Sequence, residues 1–261
     1  METKATWLFL IFMLLSISKI NAQFTYGTTG LLNMPTADMQ RDKTAIFGGG
    51  FLEKHTTPSR WFYNTFNYYI NISFFPWVEI AYTCTLHKAL ENDPYLTDGY
   101  WAPSTYGKFV NQDRNFSIRL RVWKEGWSKA WTPQIVIGGN DVVGDSWNGG
   151  SISAATNKSN GFYSRYYIAA TKHLNLYGGE LGIHFAYVYN KREDYPLNGP
   201  CLGVNYRPVF YNPLNIMAEY DSKSVNIGAA YSVWKDHINL IAELNRCKYP
   251  SIGAFFKVHL K

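Results

Sequence analysis

Toward its C-terminus the chain alternates apolar and polar positions. Ile252, Ala254, Phe256, Val258 and Leu260 fall in one phase, against Gly253, Phe255, Lys257, His259 and Lys261 in the other. Val225, Ile227, Ala229, Tyr231 and Val233 alternate in the same way with Asn226, Gly228, Ala230 and Ser232. A period of two puts successive side chains on opposite faces, so each segment predicts a strand with one oily and one wet face. An open strand edge carries unpaired backbone groups. Many such strands with little helical patterning predict a sheet closed on itself.

The same reading along the chain predicts twelve strands, near 43–53, 61–74, 78–87, 115–124, 133–141, 162–171, 175–190, 200–210, 214–221, 224–233, 237–244 and 251–261. Their connections sort by parity. The long, turn-rich ones, 88–114, 142–161 and 191–199, fall at one end. Phe75-Pro76-Trp77, Lys172-His173-Leu174, Tyr211-Asn212-Pro213 and Trp234-Lys235-Asp236 fall at the other, with 125–132 the longest turn there. An even strand number, short periplasmic turns and longer outer loops are the pattern of bacterial outer-membrane barrels. The expected fold is therefore all-β: a transmembrane, antiparallel, up-and-down β-barrel.

The N-terminus predicts export. Lys4 precedes an apolar core, Trp7 to Leu15, and a polar stretch ending at Asn21-Ala22. This is the layout of a secretory signal peptide over residues 1–22, cut after Ala22. The core is too short to span a bilayer, and no later stretch reaches the roughly 20 apolar residues that a membrane helix needs. No cysteine near the cut offers a lipid-anchor site. The expected order is signal peptide 1–22, periplasmic leader 23–42 and outer-membrane barrel 43–261, in the envelope of a Gram-negative bacterium.

Composition changes this picture little. Aromatics make up 17% of residues, with 20 Tyr and 9 Trp. That suits aromatic girdles at two membrane interfaces, and leaves an aromatic-rich secreted β-sandwich as the alternative. The mean hydropathy of -0.23 is that of a soluble chain, but barrels carry their apolar residues on alternate positions. A formal charge of +6 favours acidic polymers or lipid head groups and does not by itself call for nucleic acid. The three cysteines, Cys84, Cys201 and Cys247, fit no metal spacing. Cys201 and Cys247 can bridge in an oxidising compartment, and Cys84 alternates with Ile80 and Tyr82 as an outward-facing residue.

Four segments, in order, carry a resemblance. They are Gly30-Leu31-Leu32-Asn33-Met34-Pro35-Thr36-Ala37, then Asp113-Arg114-Asn115-Phe116-Ser117-Ile118-Arg119-Leu120-Arg121. The third joins Gly203-Val204-Asn205-Tyr206-Arg207-Pro208, Met217-Ala218-Glu219-Tyr220-Asp221 and Val225-Asn226-Ile227-Gly228. The last is Tyr249-Pro250-Ser251-Ile252-Gly253. Together they resemble the YjbH-like exopolysaccharide-biosynthesis proteins of Gram-negative outer membranes, of which this would be a short member. The resemblance implies an outer-membrane β protein linked to polysaccharide production or export.

If the apolar phase faces lipid, the other phase lines the lumen with Glu79, His87, Arg119, Arg121, Arg165, His184, Arg207, Glu219, Asp221 and Lys257. Two readings are open. In one, ion pairs such as Arg with Glu219 or Asp221 fill the lumen. In the other, Arg119, Arg121, Arg165, Arg207, Glu219 and Asp221 form a ligand track. Guanidinium forks suit carboxylates and phosphates, and Tyr167 and Trp123 offer flat faces to sugars. The partners expected are outer-membrane lipids, an anionic polysaccharide and other export proteins. Asn71, Asn115 and Asn157 start glycosylation-like triplets, which chance explains. His184 and His259 with Glu219 and Asp221 raise a lipid or glycan hydrolase, but no Gly-x-Ser-x-Gly elbow is present. No metal, phosphate-loop or dinucleotide motif appears, and no cofactor is expected. The functional expectation is a non-enzymatic barrel for exopolysaccharide or capsule export, as conduit or assembly component, with a porin-like or structural barrel as the alternative.

Overall fold

Alternation of this kind closes a sheet only if every strand finds two neighbours, and here every strand does. The computed structural model describes residue 23 and residues 25–57, 62–92, 99, 101–142, 163–190, 197–211, 213–234 and 236–260. Twelve strands follow in order: β1 Thr44–Leu52, β2 Thr65–Phe75, β3 Val78–Lys88, β4 Phe109–Trp123, β5 Gln134–Asn140 and β6 Arg165–Leu176, then β7 Gly179–Tyr189, β8 Gly199–Pro208, β9 Leu214–Tyr220, β10 Val225–Trp234, β11 Ile238–Asn245 and β12 Tyr249–His259. Each pairs antiparallel with the next, and β12 returns to β1, from Thr44 opposite His259 to Phe51 opposite Ile252. The sheet has no edge, so no row of backbone groups is left bare.

The faces are inverted relative to a soluble protein. Along β11, Ile238, Leu240 and Leu244 are exposed while Asn239, Glu243 and Asn245 are buried. Ile80, Ile118, Ile168, Ile183, Leu202, Ile216, Ile227 and Ile252 continue the exposed apolar band around the barrel. Phe75, Trp77, Trp123, Trp127, Trp131, Tyr177, Phe210, Tyr211 and Trp234 ring the short-turn rim. A continuous apolar exterior is stable against lipid, and aromatic rings belong at its interface with water. The barrel is therefore a transmembrane one.

Several expectations need correction. β4 starts at Phe109, and β6 runs on to Leu176, so Lys172-His173-Leu174 is strand and Tyr177-Gly178 makes the turn. Pairing of Lys172 with Ile183 and of His173 with Gly182 holds that stretch in the ladder. All three cysteines are free. Cys201 is buried on the lumenal phase of β8 and Cys247 is exposed in the turn after β11, so they form no bridge. Cys84 has the outward phase but is covered, lying between its cross-strand neighbours Tyr68 and Arg114. The signal peptide, Asn157, Asn212, Lys235 and most of loops 142–161 and 191–199 lie outside the described residues.

The largest correction concerns the leader. Expected in the periplasm, residues 25–42 instead fold into the lumen. Tyr26, Leu31, Leu32, Met34 and Ala37 are fully buried there. Leu31, Leu32, Met34 and Ala37 pack with Tyr69, Val136, Tyr167, Met217 and Phe255 of the wall into one apolar cluster. Eight strands leave an interior that side chains can fill, and sixteen leave a channel. Twelve strands leave room between those limits, and the leader occupies it.

Candidate functional site: a plugged lumen

The leader's local structure comes from its turn residues. Gly27 has φ +68, and a Cβ there would lie 2.4 Å from Thr83 Oγ1 and 2.8 Å from Tyr69 Cβ, so only glycine fits. A tight turn follows, in which the Leu31 N–H donates to Met34 O at 3.3 Å. This turn aims successive amide groups outward, a concave arrangement that suits an anion. Glu219 of β9 supplies it, accepting from the N–H groups of Leu32 (3.0 Å), Asn33 (2.7 Å) and Met34 (3.2 Å), and from Asn226 Nδ2 (3.0 Å).

The apolar side chains of the same turn sit in sockets made by glycines. A Cβ on Gly203 would lie 2.4 Å from Leu31 Cδ1 and 2.6 Å from Met34 Sδ; one on Gly228 would lie 2.7 Å from Leu32 Cδ2. Asn33 adds a side-chain bond to Asn245 Oδ1 at 2.7 Å.

Three further wall sites grip the leader. Glu79 of β3 accepts from Thr29 N (2.7 Å), Thr29 Oγ1 (2.6 Å) and Asn71 Nδ2 (2.8 Å), and pairs with Arg119 Nη1 at 3.2 Å. Arg119 then donates through Nη2 to the carbonyls of Thr36 and Asp38, the latter at 2.9 Å. Arg165 of β6 donates to Asn140 Oδ1 (2.7 Å), Asn33 O (2.8 Å) and Gln23 Oε1 (3.2 Å), with its guanidinium 3.5 Å from the Tyr26 ring centre. Ala37 N–H donates to Thr171 Oγ1, which bonds His184 Nδ1; His184 Nε2 reaches Asn205 Oδ1 at 2.7 Å. Glu79, Arg119, Arg165 and Glu219 are each buried with partners, which is the condition for tolerating charge away from water.

At the short-turn rim Asp38 lies 3.3 Å from His173, which bonds Glu125 at 2.8 Å; Lys172 joins Glu125 at 2.9 Å. Burial pushes the Asp38 carboxyl up, but the bond to His173 and the nearby His184 and Arg207 charges outweigh it, leaving Asp38 well below the usual carboxylate range. For Glu125, burial likewise raises the carboxyl, and bonds from His173 and Lys172 lower it further than burial raises it.

The six residues predicted as a ligand track are thus not one cluster. Arg119, Arg165 and Glu219 hold the leader. Arg207 pairs with Glu180 at 2.6 Å. Asp221 caps the 221–224 turn, accepting from Lys223 N (3.1 Å), Ser224 N (2.8 Å) and Asn226 Nδ2 (2.8 Å). Arg121 is half-buried on the Arg119 face; its backbone N–H donates to Trp77 O at 2.8 Å, and its guanidinium has no hydrogen-bond partner among the described residues. The expected pairing of arginine with Glu219 or Asp221 is replaced by Arg119–Glu79 and Arg207–Glu180. The leader's own role went unread in the sequence, although Leu31, Leu32 and Met34 beside Pro35 in a non-strand segment were its visible signal. Among the described residues no three His, Cys, Asp or Glu side chains gather to hold a metal.

The grip joins three of the four family-like segments: Gly30 to Ala37 is held by Arg119 of the second and by Gly203, Glu219 and Gly228 of the third. Among solved structures, the chain is similar to the Acinetobacter baumannii outer membrane protein Omp33, at 9% identity and TM-score 0.40, covering 84% of this chain and 98% of that one. It is also similar to outer membrane phospholipase A from Escherichia coli, at 10% identity and TM-score 0.38, covering 84% and 93%. In sequence it is similar to the "Uncharacterized lipoprotein YjbH" of Escherichia coli (strain K12), 24% identical over 169 residues, 64% of this chain. The match spans only 19% of that relative's length. The family model described as "Exopolysaccharide biosynthesis protein YbjH" matches residues 22–193, and the chain belongs to that YjbH family.

Proposed function

We propose that the chain serves exopolysaccharide production as a plugged outer-membrane barrel, an assembly-site component whose lumen the leader keeps closed. The observation that carries this reading is the leader's bonding to Glu79, Arg119, Arg165 and Glu219 from several sides of the wall. A polymer threading the lumen would have to displace all of these bonds and the Leu31–Met34 sockets. The role is non-enzymatic: His184 is fully buried and held between Thr171 and Asn205. Anionic polysaccharide and other export proteins are the proposed partners, met at the rims, where Arg121 keeps a guanidinium without a fixed acceptor among the described residues.

Planar-bilayer conductance with surface-polymer assay in the same strain tests this. The wild-type barrel should be closed. A Glu79→Gln, Glu219→Gln double variant should conduct in bursts while still supporting polymer production. A steady open pore in the wild type would favour the conduit reading. Polymer that rises with conductance in the variant would do the same.

A further inference from the structure

Charge is almost absent from the lipid-facing side of the wall. Among the described residues of the twelve strands, only Lys88, Arg114 and Lys172 carry a charge in the outward phase. Lys172 is paired with Glu125 at the short-turn rim. Lys88 and Arg114 share the β3–β4 sector toward the long loops, and neither has a carboxylate partner among the described residues.

Their depth follows from strand geometry. Tyr68 of β2 stands opposite Cys84 of β3, and Cys84 opposite Arg114 of β4, so the three form one outward row. Trp123 of the short-turn girdle lies nine residues along β4 from Arg114. At about 3.3 Å per residue and a tilt of about 40°, that is about 23 Å of height, against roughly 25 Å for the apolar band of a membrane barrel. Arg114 therefore sits where the band ends and head groups begin. A cation on the lipid face is costly at the midplane and nearly free at that level.

The surroundings at that level are aromatic. Phe51, Phe66, Phe109 and Tyr63 form a continuous shelf, with successive ring centres 5.6, 6.4 and 6.0 Å apart. Lys88 Nζ lies 5.0 Å from the Phe109 ring centre and 5.3 Å from that of Tyr63, and the Lys88 N–H donates to Tyr63 Oη at 2.8 Å. Such contacts hold an ammonium on the shelf without neutralising it. Arg114 is exposed, and its Nε donates to Gln112 Oε1 at 3.4 Å, which leaves both Nη groups open among the described residues.

The two cationic heads thus lie beside Phe109 and Gln112, three residues of β4 apart, or about 10 Å. One phosphate does not reach across that gap. Two phosphates on one sugar head group do, with the sugar over the aromatic shelf and a guanidinium fork on one phosphate. We propose that this sector of the outer wall binds a diphosphorylated glycolipid of the lipid A type, with Arg114 and Lys88 each on one phosphate. The proposal is independent of any role in polysaccharide production.

The test uses the full barrel refolded in a nonionic detergent and titrated by native mass spectrometry with diphosphoryl lipid A, monophosphoryl lipid A or phosphatidylglycerol. The wild type should retain one diphosphoryl lipid A roughly tenfold more tightly than phosphatidylglycerol, the monophosphoryl form falling between them. Arg114→Gln should remove most of that preference and Lys88→Gln part of it, while Arg114→Lys, which keeps the charge and loses the fork, should restore some of it. Heat-modifiability on gels should be unchanged in all three. Lys88→Gln keeps the test open if Arg114→Gln does not refold. Equal retention of the three lipids by the wild type overturns the site, as does undiminished retention of diphosphoryl lipid A by the Arg114→Gln, Lys88→Gln double variant. Complete displacement of the lipid by millimolar inorganic phosphate would also overturn it, because the head group and shelf would then add nothing.

Discussion

Glu219→Ala would remove the acceptor for three consecutive backbone amides of the leader, at 2.7–3.2 Å, and for Asn226. Hydrogen bonds to a charged group contribute about 1.5–3 kcal/mol each, and a buried amide left bare costs about 1–3 kcal/mol. The contributions are not additive, and water entering the space left by the side chain would satisfy some of the amides. A net loss of about 3–5 kcal/mol follows, and it falls on the plug. The ladder hydrogen bonds of β9 to β8 and β10 are backbone bonds and survive. Amide hydrogen exchange of the refolded barrel should therefore show Leu32, Asn33 and Met34 exchanging at least a hundredfold faster, with the strand amides unchanged. Protection of these three amides equal to the wild type would refute the claim that Glu219 anchors the leader. Loss of protection in the strands as well would show that plug and wall unfold together.

Ile118→Arg or Ile227→Arg places a charge on the lipid face at mid-depth, at a cost of about 2–4 kcal/mol; both residues are exposed on the outer band, and impaired membrane assembly on heat-modifiability gels is the expected readout. Gly228→Ser would be mild in a wet lumen. Here its Cβ would lie 2.7 Å from both Ala242 O and Leu32 Cδ2, so the leader should be expelled from its socket and become protease-sensitive, with overpacking costing about 1–3 kcal/mol. Asp38 and Glu125 are both held below their ordinary values of 3.8 and 4.5. Their stabilisation is present above those values and is lost as pH falls through the depressed ones; proteolytic release of the leader should rise only in strong acid, and release starting near pH 6 would contradict this. Cys247 is exposed in the turn at the long-loop end while Cys84 and Cys201 are buried. A membrane-impermeant maleimide should label intact cells at Cys247 alone, and labelling only after the outer membrane is breached would invert the orientation.

The alternation of residues such as Ile252, Ala254 and Phe256 with Gly253, Phe255 and Lys257 was enough to determine strand number and which face meets lipid, while the start of β4 and the end of β6 lay outside the expected strands. Period two is a local property, and it survives whatever the neighbours are. Turn lengths were legible where proline or glycine marks them. They were not where β6 runs past Lys172, because only the pairing of Lys172 and His173 with β7 decides that the strand continues.

What fills the lumen was decided by tertiary structure alone. Arg119, Arg165 and Glu219 read in sequence as charges on a polar inner face, which is all that a period of two can say. Their partners are Asp38, Asn33 and Met34, separated from them by 81, 132 and 185 residues. No local pattern encodes such contacts. They arise because a closed sheet of twelve strands leaves a space, the leader is the segment tethered at its floor, and buried charges must find partners before they can be buried.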